Sequence, residues 1–302
     1  MSTAIRDILQ RVGSLPPLPD TAIRLMNVIN DPRSTVDEIV EVIRYDQAVT
    51  AEVLKLCNSA YFGMTRTITS LSEAMVCLGT VKVLQLVMSV HTSALLSKAQ
   101  IGYGLAPGML WRHSVAVALA ASATAQRINL GNVSLAFTAG LLHDIGKVVL
   151  NEYVAEEFLE IVRRVREEKL AFVEAEQAVL GYSHEEIGGR IADVWKLPQP
   201  IIQSIRHHHD PTRLVPPDPF VDTVYLANCI CLLLGIGLGE DGLYSRASDA
   251  VMQRNGLKES DLENIGAQML LDLRKVEQIF EGQSNRSTRP TPGPGVEHTH
   301  DS

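Results

Sequence analysis

Apolar residues recur at three- and four-residue spacings in one segment after another, which is the pattern of helices packed against a core. Several of these segments begin with a hydroxyl residue followed three positions later by Glu, the spacing of a capping box. The pairs are Thr35 with Glu38, Ser70 with Glu73, and Ser183 with Glu186. We therefore predict an all-α fold.

Proline and glycine divide this helical pattern into three regions. Residues 1–105 form an N-terminal helical lobe, and the segment 102–107 connects it to a second helical bundle, residues 106–280, which holds most of the histidines. Residues 281–302 are polar and rich in Pro and Gly, a composition that cannot bury enough apolar surface to fold. We expect this tail to be disordered.

Composition and charge narrow the class of protein. The chain has 302 residues, of which 46% are hydrophobic, so it is long enough to bury a core. Its formal net charge of −8 offers no broad basic surface for phosphates, so a nucleic-acid partner is not expected. The cysteines form no Cys-x-x-Cys pair and are expected to be reduced thiols. They are Cys57, Cys77, Cys229 and Cys231.

Neither a signal peptide nor a membrane span is predicted. Residues 1–10 contain Arg6 and Asp7 and lack an apolar stretch. The most hydrophobic run, residues 226–239, is shorter than the about 20 residues that cross a bilayer and is expected to be a buried core helix. We predict a cytoplasmic protein without membrane insertion.

The candidate chemistry centres on His143-Asp144, in an apolar helix predicted to begin near Val133. A carboxylate in such surroundings is costly to bury without a partner, and a metal cation is the strongest candidate. Lys147 lies on the same helical face. It is interpreted either as a tentative phosphate contact or as a salt-bridge partner of Asp144.

Further histidines occur on other predicted helices. They are His113, His184 and the triplet His207-His208-His209. Imidazole nitrogens with one carboxylate suit iron, manganese or zinc better than calcium or magnesium. Taken alone, each histidine is explained more simply as a hydrogen-bonded core residue, or as a residue that interacts favourably with the dipole at a helix C-terminus, than as a metal ligand. Their combination with His143-Asp144 favours a divalent metal site.

The segment from His143 to Lys147 is similar to the signature of the HD superfamily of metal-dependent phosphohydrolases. Its surroundings resemble the HDOD family, the HD-related output domain of bacterial signalling proteins. This resemblance implies an N-terminal helical lobe packed on an HD-like helical bundle. The segments that carry it, in order, are 15–19, 45–48, 54–61, 68–79, 111–114, 181–188 and 195–198.

The related HD-GYP phosphodiesterases imply a ligand set for the metal. Carried over to this sequence, the set is His113, His143, Asp144, His184, His207 and His208. A late Asp of that set falls on Asn228, whose amide oxygen can act as a ligand but brings no negative charge. No GYP segment is present, and Met109 stands where an additional acidic ligand is sometimes found.

Two functions follow from the resemblance. The first is a signal-transduction output or scaffold domain that binds signalling proteins, such as kinases, response regulators or chemoreceptors, and holds a metal without turnover. The alternative is a metal-dependent phosphohydrolase acting on a nucleotide or cyclic dinucleotide, with Lys147 holding the phosphate. The loss of the late Asp at Asn228 favours the first.

Overall fold

A computed structural model describes residues 18–58 apart from Pro32 and Tyr45, residues 67–237 and 247–287, and isolated positions before Leu18. Every regular element within these ranges is helical, which confirms the all-α prediction. Several positions used above lie outside the described residues. They are most of residues 1–17, Tyr45, residues 59–61, 238–239 and 288–302.

The N-terminal lobe is built from short amphipathic helices. Capping explains where two of them begin: Thr35 Oγ1 accepts from the Glu38 amide and Glu38 accepts from the Thr35 amide, which completes the predicted capping box. Ser70 caps its helix through the Glu73 amide, but the Glu73 side chain binds Thr69 instead. The helices are α1 (Asp20–Asn30), α2 (Val36–Arg44), α3 (Gln47–Cys57), α4 (Leu71–Leu78) and α5 (Thr80–Leu96).

The second bundle follows a short 3-10 turn at Ile101–Tyr103. The predicted cap at Ser183 is present, because its hydroxyl accepts from the Glu186 amide at 3.3 Å. The helices are α6 (Met109–Arg127), α7 (Val133–Leu142), α8 (Gly146–Glu156), α9 (Phe158–Glu167), α10 (Phe172–Leu180), α11 (His184–Val194), α12 (Gln199–His207), α13 (Pro219–Leu233), α14 (Asp249–Arg254) and α15 (Glu259–Ser287).

Helix α7 lies at the centre of the molecule. It packs against α6 and α13 of its own bundle, and α1 and α5 of the N-terminal lobe pack against it from the other side. Every residue of α7 is apolar or small, and all of them from Ser134 onward are buried. One contiguous apolar core therefore joins the two lobes, with members such as Leu25, Leu141 and Ile205.

One helical run among the described residues, Val133–Glu156, has the length and composition to cross a membrane. However, 89% of its most hydrophobic window is buried inside the fold, as in a core helix. Helices α4 and α5 pass the same test only when counted together, and they are bent by 115°. The predicted core helix at residues 226–239 is helical only as far as Leu233.

The C-terminal boundary differs from the prediction. Helix α15 continues to Ser287, so residues 281–287, which were expected to be disordered, are helical. A helix adds residues readily once it has begun, and residues 281–287 contain no proline to interrupt it. Residues 288–302 lie outside the described residues, so disorder there stays a prediction.

Candidate metal centre

The sequence predicted that the His143-Asp144 pair lies inside one helix. The pair instead occupies a break between two helices. Helix α7 ends at Leu142 and α8 begins at Gly146. The break leaves the Gly140 carbonyl without an α-helical donor, and His143 Nδ1 binds it at 2.7 Å. This contact fixes the ring so that its Nε2 lies 3.3 Å from Asp144 Oδ2.

Four imidazole rings surround the Asp144 carboxylate. His113 Nε2 lies 3.6 Å from Oδ2, on the side of His143. His184 Nε2 and His208 Nε2 each lie 3.5 Å from Oδ1. The five side chains come from α6, the α7–α8 break, the start of α11 and the end of α12, and each is at most 4% exposed. The fold thus brings together residues far apart in the sequence.

The opposite nitrogen of three of these rings faces a backbone carbonyl. Because a carbonyl oxygen only accepts, each Nδ1 must carry a proton and donate it. These hydrogen bonds fix the tautomer of the neutral rings and leave Nε2 free to bind a metal. The pairs are His113 with Ile236 at 3.0 Å, His143 with Gly140 at 2.7 Å, and His208 with Ile205 at 2.8 Å.

Asp144 Oδ1 is buried and has no hydrogen-bond partner, and the same is true of His208 Nε2. Burial lowers the pKa of His208 to about 3, so this Nε2 is a bare lone pair at neutral pH. Burial would raise the pKa of Asp144, but His143 and Lys147 outweigh it and hold that pKa well below its usual value. A carboxylate oxygen and an imidazole lone pair repel each other unless a cation lies between them.

His184 is held by a second buried carboxylate, Glu176. The Glu176 Oε2 atom lies 2.6 Å from His184 Nδ1 and accepts from the His184 amide at 3.1 Å. Burial would lower the pKa of His184, but Glu176 outweighs it and raises that pKa. Tyr103 donates its hydroxyl to the other oxygen of Glu176 at 2.5 Å. This carboxylate–histidine arrangement is common behind metal ligands.

The histidine triplet contributes His208 and His209, whereas the resemblance implied His207 and His208. His209 Nε2 lies 3.0 Å from His184 Nε2, and these two rings group with Asp144 and His208 as one set of candidate ligands. His113, His143 and Asp144 form the other set. His207, half-buried at the end of α12, belongs to neither set.

The presence of His209 in place of His207 among the candidate ligands has a local cause. His208 ends α12 by binding the Ile205 carbonyl, and the His209 amide donates to Glu185 Oε1 at 3.0 Å. These two contacts turn the chain so that His208 and His209 reach the centre.

Lys147 forms a salt bridge to Asp144, one of the two roles that its spacing allowed. Its Nζ lies 2.7 Å from Asp144 Oδ2, and both side chains are almost fully buried. The ammonium group therefore neutralises the oxygen that also faces His113 and His143. A phosphate contact by Lys147 stays a prediction.

Asn228 is buried on α13, the helix that packs against α6, where His113 lies. Its amide oxygen has no hydrogen-bond partner. Its role as a metal ligand stays a prediction.

Charge balance also points to a cation. Three carboxylates at or beside the rings, Asp144, Glu176 and Glu185, are buried, while Lys147 is the buried ammonium among them. The half-exposed Arg213 lies 3.8 Å from Glu185 but is also bound to Asp210. The excess of buried negative charge matches one divalent ion, and protons must replace that ion when it is absent.

Burial raises the pKa of Glu185 to about 7, above its usual value of 4.5. A raised pKa means that the protonated carboxyl favours the folded state, and that this contribution is lost as pH rises through 7. In metal-free protein, the free energy of unfolding of the natural chain relative to Glu185→Gln should fall by about 2–3 kcal/mol between pH 5 and pH 8. Urea unfolding at several pH values measures this, and parallel profiles would contradict it.

Sequence reasoning missed Glu176, Glu185 and Tyr103 as parts of the centre, and the ligand set implied by the resemblance contained His207 but not His209. Glu176 and Glu185 look like ordinary helix-surface charges in the sequence, and only the packing of α10 and α11 buries them. Their one signal is that each lies within a short distance of His184 along the chain. Tyr103 carried no signal beyond its place in the connecting segment.

Comparison with known proteins identifies the family. The HDOD domain profile matches residues 15–211, about two thirds of the chain. The chain belongs to the HDOD family. A crystal structure of an HDOD domain protein of unknown function from Geobacter sulfurreducens is 30% identical, with a TM-score of 0.70; the alignment covers 90% of this chain and 95% of that one.

Two further proteins are similar to this chain. A protein from Shewanella amazonensis SB2B, provisionally called a phosphohydrolase, is 25% identical with a TM-score of 0.66; the alignment covers 92% of this chain and 98% of that one. An uncharacterized protein of Treponema pallidum (strain Nichols) is 28% identical over 73% of this chain. The aligned region spans only 43% of that protein.

Proposed function

We propose that this HDOD domain is a signalling output or scaffold domain that holds one divalent transition metal and does not turn over a substrate. The observation that carries the metal site is the unpartnered Asp144 Oδ1, faced at 3.5 Å by Nε2 of both His184 and His208. The ligands would be these three residues with His209. Nitrogen donors with one carboxylate suit iron, manganese or zinc.

Lys147 supports a single metal over a pair. Its ammonium group lies 2.7 Å from Asp144 Oδ2, on the side of His113 and His143. A second divalent ion there would meet a buried positive charge and would share one carboxylate with the first ion. Repulsion at these distances in a buried site is strong.

Burial supports binding without turnover. A catalytic metal keeps an open position for water and substrate, whereas a structural metal is closed by its ligands. Asp144, His143, His184 and His208 are at most 1% exposed, and only His209 among the ligands is partly exposed. When bound, the metal would supply charge and would cross-link the α7–α8 break, the start of α11 and the end of α12.

The partners in this proposal are signalling proteins, such as kinases, response regulators or chemoreceptors, in the cytoplasm of a bacterium. Membership of the HDOD family supports the signalling role, because HDOD is the HD-related output domain of bacterial signalling proteins. The net charge of −8 supports protein partners over nucleic acid.

A metal-dependent phosphohydrolase acting on a nucleotide or cyclic dinucleotide is the second candidate. The provisional name of the Shewanella amazonensis relative and the buried Lys147 beside the ligands favour it. In that case the metal would activate water, and the Lys147 ammonium would hold a phosphate oxygen. Lys147 would first have to leave Asp144.

Metal analysis of the untagged protein tests the proposal. We expect about one equivalent of iron, manganese or zinc per chain, either as purified or after reconstitution, with loss of that metal in His208→Ala. His207→Ala is the matched control on the same turn and should keep the metal. A chain that stays metal-free after reconstitution would overturn the metal site.

An activity screen separates the two candidate functions. Phosphodiester and nucleotide substrates are tested with the metal-loaded natural chain, His143→Ala and Asn228→Asp. We expect no turnover by the natural chain. Robust turnover that disappears in His143→Ala would overturn the non-enzymatic role, and activity in Asn228→Asp alone would support loss of an ancestral carboxylate.

A further inference from the structure

We propose that Tyr103 and Glu176 transmit the state of the metal centre to the segment that joins the two lobes. This inference rests on the proposed metal site. We call residues 97–108 the connector: it follows α5 of the N-terminal lobe and precedes α6, which carries His113 near its beginning. Any change in the connector therefore bears on both lobes.

The connector is a closed loop with its own backbone hydrogen bonds. Gln100 and Leu105 exchange two of them, at 2.9 and 3.0 Å, and the Gly108 amide donates to the Ser97 carbonyl at 2.9 Å. The 3-10 turn Ile101–Tyr103 lies inside this loop. The loop therefore holds Tyr103 in a defined place.

The connector is also docked tightly on α8. The Gly102 amide donates to Asn151 Oδ1 at 2.9 Å. A Cβ at Gly102 would lie 2.7 Å from the Ala155 amide nitrogen, so the loop backbone touches the helix backbone. Helix α8 begins at Gly146, two residues after Asp144, so the connector lies against the same helix that carries Lys147.

Tyr103 reaches the metal centre by two routes. Its buried hydroxyl donates to Glu176 Oε1 at 2.5 Å, and Glu176 Oε2 lies 2.6 Å from His184 Nδ1. Its ring lies 5.5 Å from Lys147 Nζ, the ammonium group that binds Asp144. One side chain of the connector is thus in contact with the partners of two candidate ligands.

Metal binding would alter both routes. A divalent ion held by His184 Nε2 would polarise the ring and strengthen the bond from Nδ1 to Glu176. It would also weaken the attraction of Asp144 for Lys147, because the two cations would share one carboxylate. Glu176 and Lys147 are buried, so a change in their positions would alter their contacts with Tyr103 and not their contacts with solvent. We infer that a loaded centre makes the connector more rigid.

Hydrogen–deuterium exchange on the full chain with and without zinc tests this coupling. In the natural chain, zinc should slow exchange in residues 97–108 by about tenfold, at the low end of usual coupling between sites. Tyr103→Phe keeps the ring and removes only the hydroxyl, so it should still bind zinc while the connector's response falls below about twofold. Tyr225→Phe is the matched control, since its hydroxyl binds Ser248 in another part of the bundle, and it should respond like the natural chain.

Glu176→Gln provides a second variant in case Tyr103→Phe does not fold. It should bind zinc about 10- to 100-fold more weakly by calorimetry and show no connector response when saturated. A full response in either variant at saturating zinc would overturn the coupling and leave the metal site intact. A natural chain that binds no zinc, manganese or iron would overturn the coupling together with the proposed site.

Discussion

Asp144→Asn is expected to bind a divalent transition metal more than about 100-fold more weakly than the natural chain, since even residues behind a ligand contribute 10- to 100-fold. The same change should lower the free energy of unfolding of the metal-free protein by about 3–5 kcal/mol, because it leaves a buried ammonium group without its partner. Lys147 Nζ lies 2.7 Å from Asp144, and both side chains are buried. Calorimetric titration with zinc and urea unfolding measure the two effects.

The two effects can be separated by a second substitution. Asp144→Asn combined with Lys147→Met removes both buried charges, so it should recover most of the lost stability while metal binding stays weak. If the double variant recovers metal binding, Asp144 is not a ligand. If the single variant is as stable as the natural chain, Asp144 does not stabilise the buried Lys147 ammonium group as we describe.

Gly146→Ala is expected to lower the free energy of unfolding by about 3 kcal/mol, at the upper end for overpacking. A Cβ at Gly146 would overlap the His184 carbonyl oxygen and lie 2.7 Å from the Gly188 amide nitrogen. These are backbone atoms of α11, so they can move aside only if the whole helix shifts. His184 begins this helix, so zinc binding should weaken as well.

Gly13→Ala is the matched control for this prediction. A Cβ at Gly13 meets nothing within 4 Å, so the change should alter the free energy of unfolding by less than about 1 kcal/mol. Urea unfolding of both variants makes the comparison. Equal stabilities would show that α8 and α11 do not approach as closely as described.

Local sequence patterns predicted the parts of the molecule that depend on local contacts. The capping pair Thr35 and Glu38 forms as expected, because both partners lie within one turn of a helix. Lys147 forms an ion pair with Asp144, three residues away, which is one of the two roles that the spacing left open. The break at residues 143–145 was not predicted; it ends at Gly146, whose backbone lies close to that of α11.

The candidate site depends on contacts between distant segments, and sequence reasoning found it only in part. His143 and Asp144 stood out because a polar pair in an apolar run is unusual. Glu176 did not, because its burial comes from packing against His184 and Tyr103, which no local pattern encodes. The choice of His209 over His207 depends on Glu185, whose carboxylate binds the His209 amide.

The most direct test of the central claim is the position of a metal in a crystal of this protein. Anomalous scattering from a zinc-soaked crystal, recorded above and below the zinc absorption edge, locates the ion without any assumption about function. We expect one strong peak between Asp144 Oδ1 and the Nε2 atoms of His184 and His208, and we expect crystals of His208→Ala to lack that peak. A peak elsewhere, or none in this cluster at saturating zinc, would contradict it.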